Sequence, residues 1–123
     1  MKLVYLATPY SHHDPATRDL RATKAADAAL ALMAKHGVVV YSPIAAWHPW
    51  CVTRNLPFTY EHWRDQDQAF IERSDEVWIL MLDGWDQSNG VAEERNTALL
   101  EQMTIKYVEP DTLEVFNLPP MAE

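Results

Sequence analysis

The sequence predicts an α/β domain with a parallel sheet, on three observations. Short apolar runs without helical period alternate with longer helical stretches, in the order β-α-β-α-β-α-β. The connections between them are short, as right-handed crossovers in one sheet require. The run Glu76–Leu82 is apolar on both faces, as a strand covered on both sides must be.

In chain order, Lys2–Ala7 reads as a buried first strand closed by Thr8-Pro9. A polar loop, Tyr10-Ser-His-His-Asp-Pro15, leads into a helix over about 15–36. Asp14 caps its amides, Pro15 tolerates the first helical position, and Gly37 supplies a left-handed end. The small residues Ala22, Ala25, Ala26 and Ala29 suit a helix lying close on a sheet. Val38–Tyr41 is a second strand. Residues 44–58 read as the longest irregular stretch, carrying Trp47, His48, Trp50, Cys51 and Arg54, and a loop of that length is more often functional than idle. Thr59 starts a helix to about Arg73, with Asp65 and Asp67 away from its apolar positions. After the third strand, the turn 83–89 opens a helix from Gly90 to about Met103. Thr104–Val108 makes a fourth strand and Leu113–Phe116 a short edge strand. The whole of 1–123 is one Rossmann-like three-layer domain with a four- or five-stranded parallel sheet, its tail peripheral from about 109.

Composition removes several function classes. A net charge of −8 repels phosphodiester backbones, which argues against a nucleic-acid polymer as partner. No apolar run spans a bilayer and no secretory leader pattern is present, so a cytoplasmic protein without membrane contact is expected. A single cysteine fits a reducing compartment. With three glycines the chain has neither a dinucleotide fingerprint nor a P-loop. The histidines and Cys51 lack the spacing of a metal site, so no metal and no organic cofactor are expected. Arg18 and Arg21 could meet a phosphate, though a solvated helix face explains them as well. Five Trp and five Tyr are enough to line a pocket, but they serve a core or an interface equally.

The chemistry concentrates in Met81–Glu94, an apolar strand end, a glycine-bearing turn and a helix start with two carboxylates. Strand carboxyl ends are where ligands bind in such sheets. A helix N-terminus stabilises nearby negative charge by about 0.3–1 kcal/mol, which would keep Glu93 or Glu94 ionised as a nucleophile requires. Both acids also suit a helix start with no chemistry at all. Asp65 or Asp67, brought in from another element, would complete the pair of carboxyls that glycoside cleavage uses, unless they only face solvent.

Tyr5-Leu-Ala-Thr-Pro-Tyr-Ser11, Tyr41-Ser-Pro43, Ser74-Asp-Glu-Val77 and Ser88-Asn-Gly-Val-Ala-Glu-Glu94 resemble the nucleoside 2-deoxyribosyltransferase-like superfamily, closest to a small bacterial and phage subgroup. The resemblance spans about residues 2–108. It implies that Glu94, four residues after Gly90, attacks C1′ of the sugar, with Asp67 as partner carboxylate. It implies that Tyr5, Thr8 and Tyr10 contact sugar or base, and that Ser88 meets a 5′-phosphate where one is present. It also implies a homodimer or higher homo-oligomer. The chain departs from nucleotide-specific members at Thr8–His13, which replaces a loop rich in glycine, serine and arginine. It also has a bulky Gly84-Trp85-Asp-Gln87, which makes Trp85 a residue to watch at the base.

The expected function is therefore cleavage or exchange of the N-glycosidic bond of a nucleoside or nucleoside 5′-monophosphate, through a glutamyl-sugar intermediate. The catalytic residues are Glu94 and Asp67, and the substrate-binding residues are Tyr5, Thr8, Tyr10, Trp85, Ser88 and Gly90. A nucleotide sensor or partner-binding module on the same scaffold is the alternative.

Overall fold

The computed structural model describes residues 1–120. Its elements run β1 (Leu3–Ala7), α1 (Pro15–His36), β2 (Val39–Tyr41), α2 (Pro43–Arg54), α3 (Tyr60–Arg73), β3 (Glu76–Leu80), a single 3-10 turn (Trp85–Gln87), α4 (Asn89–Leu100), β4 (Thr104–Val108) and β5 (Val115–Phe116). The five strands form one sheet in the order β2-β1-β3-β4-β5. β1 to β4 pair in parallel, with Tyr5 opposite Tyr41 on one side and Val77 on the other. β5 turns back antiparallel, Phe116 opposite Tyr107, so the predicted edge strand exists but is not parallel.

The layers follow from strand alternation. Val4, Leu6, Trp78 and Leu80 point to one face, where Ala28, Ala29 and Leu32 of α1 cover them. Tyr5, Ala7, Val77 and Ile79 point to the other, against Ile71 of α3 and Val91 and Ala98 of α4. β1 is therefore buried from Val4 to Ala7, and its tyrosine lies at 0% exposure on the α3–α4 side.

The caps of α1 are those the sequence predicts. Asp14 accepts from the Ala16 amide, and Gly37 ends the helix at φ 65° with its N–H on Met33.

The predicted irregular stretch 44–58 is overturned. Residues 43–54 form α2, with Ser42 accepting from the Ala45 amide and Pro43 at the first turn. Pro49 sits inside this helix, where it withdraws one N–H from the ladder. Only 55–59 is left as connection before α3.

Candidate active site

A cleft opens where the chain leaves β1 for one side of the sheet and returns on the other, between elements that follow β1, β2 and β3. That is the switch point at which open α/β sheets bind ligands. Thr8 and Tyr10 come from the loop after β1, Ser88 and Gly90 from the start of α4, and Asp67 and Glu94 from α3 and α4. Ile44, Trp47, His48 and Cys51, at i, i+3, i+4 and i+7 of α2, form one wall. Phe58, Tyr60 and Trp63 add flat rings.

Helical phase selects between the adjacent acids. Val91, Glu94 and Ala98 are the buried residues of α4, whereas Glu93 is exposed. On α3 the buried stripe is Asp67 and Ile71, and Asp65 is exposed. Glu94 and Asp67 retain only 5% and 6% exposure.

The Tyr5 hydroxyl, reaching up from the sheet, donates to Oε2 of Glu94. Burial and the neighbouring Asp67 push the Glu94 carboxyl well above the usual carboxylate range, with the Tyr5 hydrogen bond opposing them. Burial likewise raises Asp67 to about 7. The expectation of an anion held by the helix start is thus corrected. Glu94 lies beyond the first turn of α4, and burial with Asp67 nearby disfavours ionising both carboxyls together.

The contrast with Glu76 is direct. That buried acid at the N-terminal end of β3 lies 2.6 Å from Lys2 and 3.4 Å from Lys106. Among the described residues, neither Asp67 nor Glu94 has an ion-pair partner. Polar atoms around them are equally unsatisfied: Oγ1 of Thr8, the Tyr60 hydroxyl and Oδ1 of Asp67 are buried without a hydrogen bond. Each unpartnered buried group costs roughly 1–3 kcal/mol, and all three belong to cleft residues. A ligand with several hydroxyls or ring nitrogens would satisfy them.

The predicted site residues therefore gather with one exception. Thr8, Tyr10, Asp67, Ser88, Gly90 and Glu94 line the cleft, and Tyr5 lies behind Glu94. Ser88 also caps α4 through the Val91 amide. Trp85 stacks edge-on against Tyr107 and packs on the core beneath α4, outside the cleft lining.

His48 and Tyr60 were not foreseen as site residues. The Tyr10 hydroxyl lies 2.6 Å from Nδ1 of His48, whose Nε2 lies 2.6 Å from Asp19. Arg18 donates to the His12 carbonyl and lies over the Phe58 ring. Arg21 donates to the carbonyls of Ser11 and Asp83, so both arginines are engaged with the protein. Among the described residues, no group of three His, Cys, Asp or Glu side chains is placed to hold a metal ion, and no helix is long and apolar enough to cross a membrane.

Fold and cleft together define the class: a small doubly wound α/β domain with a carboxyl-floored pocket at its switch point. The chain belongs to the family described as "Domain of unknown function (DUF1937)", whose model matches residues 2–109. A search of the curated proteins finds no match.

Proposed function

We propose that the protein cleaves or exchanges the N-glycosidic bond of a nucleoside or nucleoside 5′-monophosphate, as the resemblance to the nucleoside 2-deoxyribosyltransferase-like superfamily implies. The observation that carries this reading is the pairing of two buried, cation-free carboxyls, Glu94 and Asp67, in a cleft with unpartnered polar atoms. Glycoside cleavage needs one ionised carboxyl at the anomeric carbon and a second group that handles protons.

In the proposed reactive state Glu94 is the ionised member of the pair, favoured by the Tyr5 hydrogen bond against burial and the charge of Asp67, and the proton of the pair sits on Asp67. The carboxylate attacks C1′ as the C1′–N bond breaks, and the bonding electrons leave on the base, which takes a proton from Asp67 or from water. Positive charge developing on the sugar is stabilised by the adjacent anion. Water or a second base then attacks C1′ and releases Glu94. With water as acceptor, ionised Asp67 takes the proton and the site is reset.

The test is incubation with ribo- and deoxyribonucleosides and their monophosphates, with chromatography for free base. Base release that depends on Glu94 is the expected result. Tight ligand binding with no base released by the wild-type protein would overturn the enzyme reading in favour of a nucleotide-binding module. Adding a second free base separates exchange from hydrolysis.

A further inference from the structure

The two carboxyls and Tyr5 account for the sugar side of the proposed reaction. They leave unexplained a second polar chain on the cleft wall, running from Tyr10 through His48 to Asp19, with both nitrogen–oxygen separations at 2.6 Å. Three elements meet there: the loop after β1, α2 and α1. Resting on the function proposed above, we propose that Tyr10, positioned by His48 and Asp19, meets the leaving base and supplies its proton.

The location fits a base rather than a sugar. His48 follows Trp47 on α2, and Ser11, beside Tyr10, holds the Phe58 carbonyl at 2.9 Å. Trp63 in turn donates to the Pro57 carbonyl at 2.9 Å. Tyr10 and His48 thus belong to the part of the cleft where flat rings gather, and flat rings stack on a base.

The direction of the hydrogen bonds follows from the chemistry of the acceptors. A carboxylate only accepts, so Nε2 of His48 carries the proton toward Asp19. If the ring is neutral, Nδ1 accepts from Tyr10, whose proton is then turned away from the cleft. If the ring is cationic, Nδ1–H donates to the Tyr10 oxygen and frees the phenol proton for a ligand. The proposed reaction runs from the cationic form; Asp19 accepts the Nε2 proton, and Arg18 of α1 and Cys51 of α2 also lie near Tyr10.

In the reaction the Tyr10 proton passes to a ring nitrogen of the base as the C1′–N electrons arrive there. The Nδ1 proton of His48 passes to the Tyr10 oxygen, leaving a neutral imidazole still bonded to Asp19, and solvent restores the ring proton. Burial pushes the Tyr10 phenol up to about 12, so at neutral pH it keeps its proton until the base takes it. Asp67 then keeps its proton, and the attacking water gives its proton to solvent.

The test compares two leaving groups in the full chain. The best nucleoside from the substrate panel is paired with an analogue whose base leaves without protonation, 7-methylated for a purine or 5-fluorinated for a pyrimidine. Tyr10→Phe should lower kcat on the order of 100-fold with the ordinary base and only a few-fold with the activated one. Asp19→Asn, a change at an exposed side chain, should produce the same asymmetry at about tenfold, with KM little changed. Equal losses for both substrates, or none, would overturn the relay while Glu94-dependent base release by the wild-type protein leaves the proposed function standing. A wild-type protein that releases neither base overturns both.

Discussion

The Tyr5 hydroxyl donates a hydrogen bond to Oε2 of Glu94, joining the buried centre of the sheet to the helix after its third strand. The donor is fully buried, and burial followed by the charge of Glu94 raises its own ionisation well above the tyrosine range. Tyr5 is therefore a permanent donor at any ordinary pH. Its effect on Glu94 is one-sided, since it stabilises the carboxylate and not the acid.

Replacing Tyr5 by Phe keeps the ring and deletes that donation. A hydrogen bond to a charged group contributes about 1.5–3 kcal/mol, so kcat should fall roughly 10- to 100-fold. The acid limb of the kcat–pH profile should move to higher pH, because Glu94 loses the interaction that lowers its pKa. A profile unmoved by the substitution would remove Tyr5 from the ionisation of Glu94.

Glu94→Gln should abolish base release while costing little stability, since it replaces a buried group that favours its neutral form. Glu93→Ala should retain most of the activity, because that side chain is exposed on the other face of α4. Initial rates and urea denaturation of the two variants check both halves. Activity in Glu94→Gln with loss in Glu93→Ala would reverse the assignment.

The raised carboxyls also predict how stability depends on pH. Asp67 titrates near 3.8 when unfolded and near 7 when folded, so the folded chain binds more protons between those values. Stability is then fully present below about pH 4 and is lost as pH rises toward 7, a change on the order of a few kcal/mol. Asp67→Asn should flatten that slope. Chemical denaturation at several pH values measures it, and a wild-type slope unchanged in the variant would contradict the burial argument.

The aromatic wall and the excluded tryptophan give a paired test. Trp63→Ala should raise KM for a nucleoside roughly tenfold, in line with the ~1–3 kcal/mol of a base stacked on a ring. Trp85→Phe should leave KM within about twofold, because that ring packs against Tyr107 instead. Steady-state kinetics on both variants decide between the two placements.

Much of the fold is legible along the chain because its signals are local. Asp14-Pro15 and Gly37 mark both ends of α1, and an apolar run such as Glu76–Leu80 has only one comfortable place in a layered domain. α2 shows where local reading fails. Ser42-Pro43 has the same cap-and-proline form as Asp14-Pro15, but it directly follows a strand and so also reads as the strand's stop. Pro49 then breaks the pattern that Ile44, Trp47, His48 and Cys51 would otherwise display.

The site divides along the same line. Glu94 and Asp67 lie in phase with Val91 and Ala98 for one and Ile71 for the other, but an acid in such a stripe reads as a solvated face until the fold buries it, and only the resemblance selects these two. The Tyr10–His48–Asp19 chain joins residues 29 and 38 positions apart across three elements, and nothing in one dimension encodes it. Trp85 was misplaced for a related reason. Its neighbourhood in sequence is the turn before α4, but its ring turns back to Tyr107 of β4.

The two arginine hydrogen bonds from Arg21, at 3.1 Å to the Ser11 carbonyl and 3.2 Å to the Asp83 carbonyl, tie the loop after β1 to the turn after β3. A methyl group on Gly84 would come within 2.9 Å of that guanidinium, and Gly84 sits at φ 87°, a backbone conformation that favours glycine. One side chain thus acts as a tie-rod between the loop and the turn that carry the cleft residues Ser11 and Ser88, the two lips of the cleft. Amides on both lips should then exchange with solvent through a single shared opening event, and admission of a substrate becomes a property of the pair rather than of either loop.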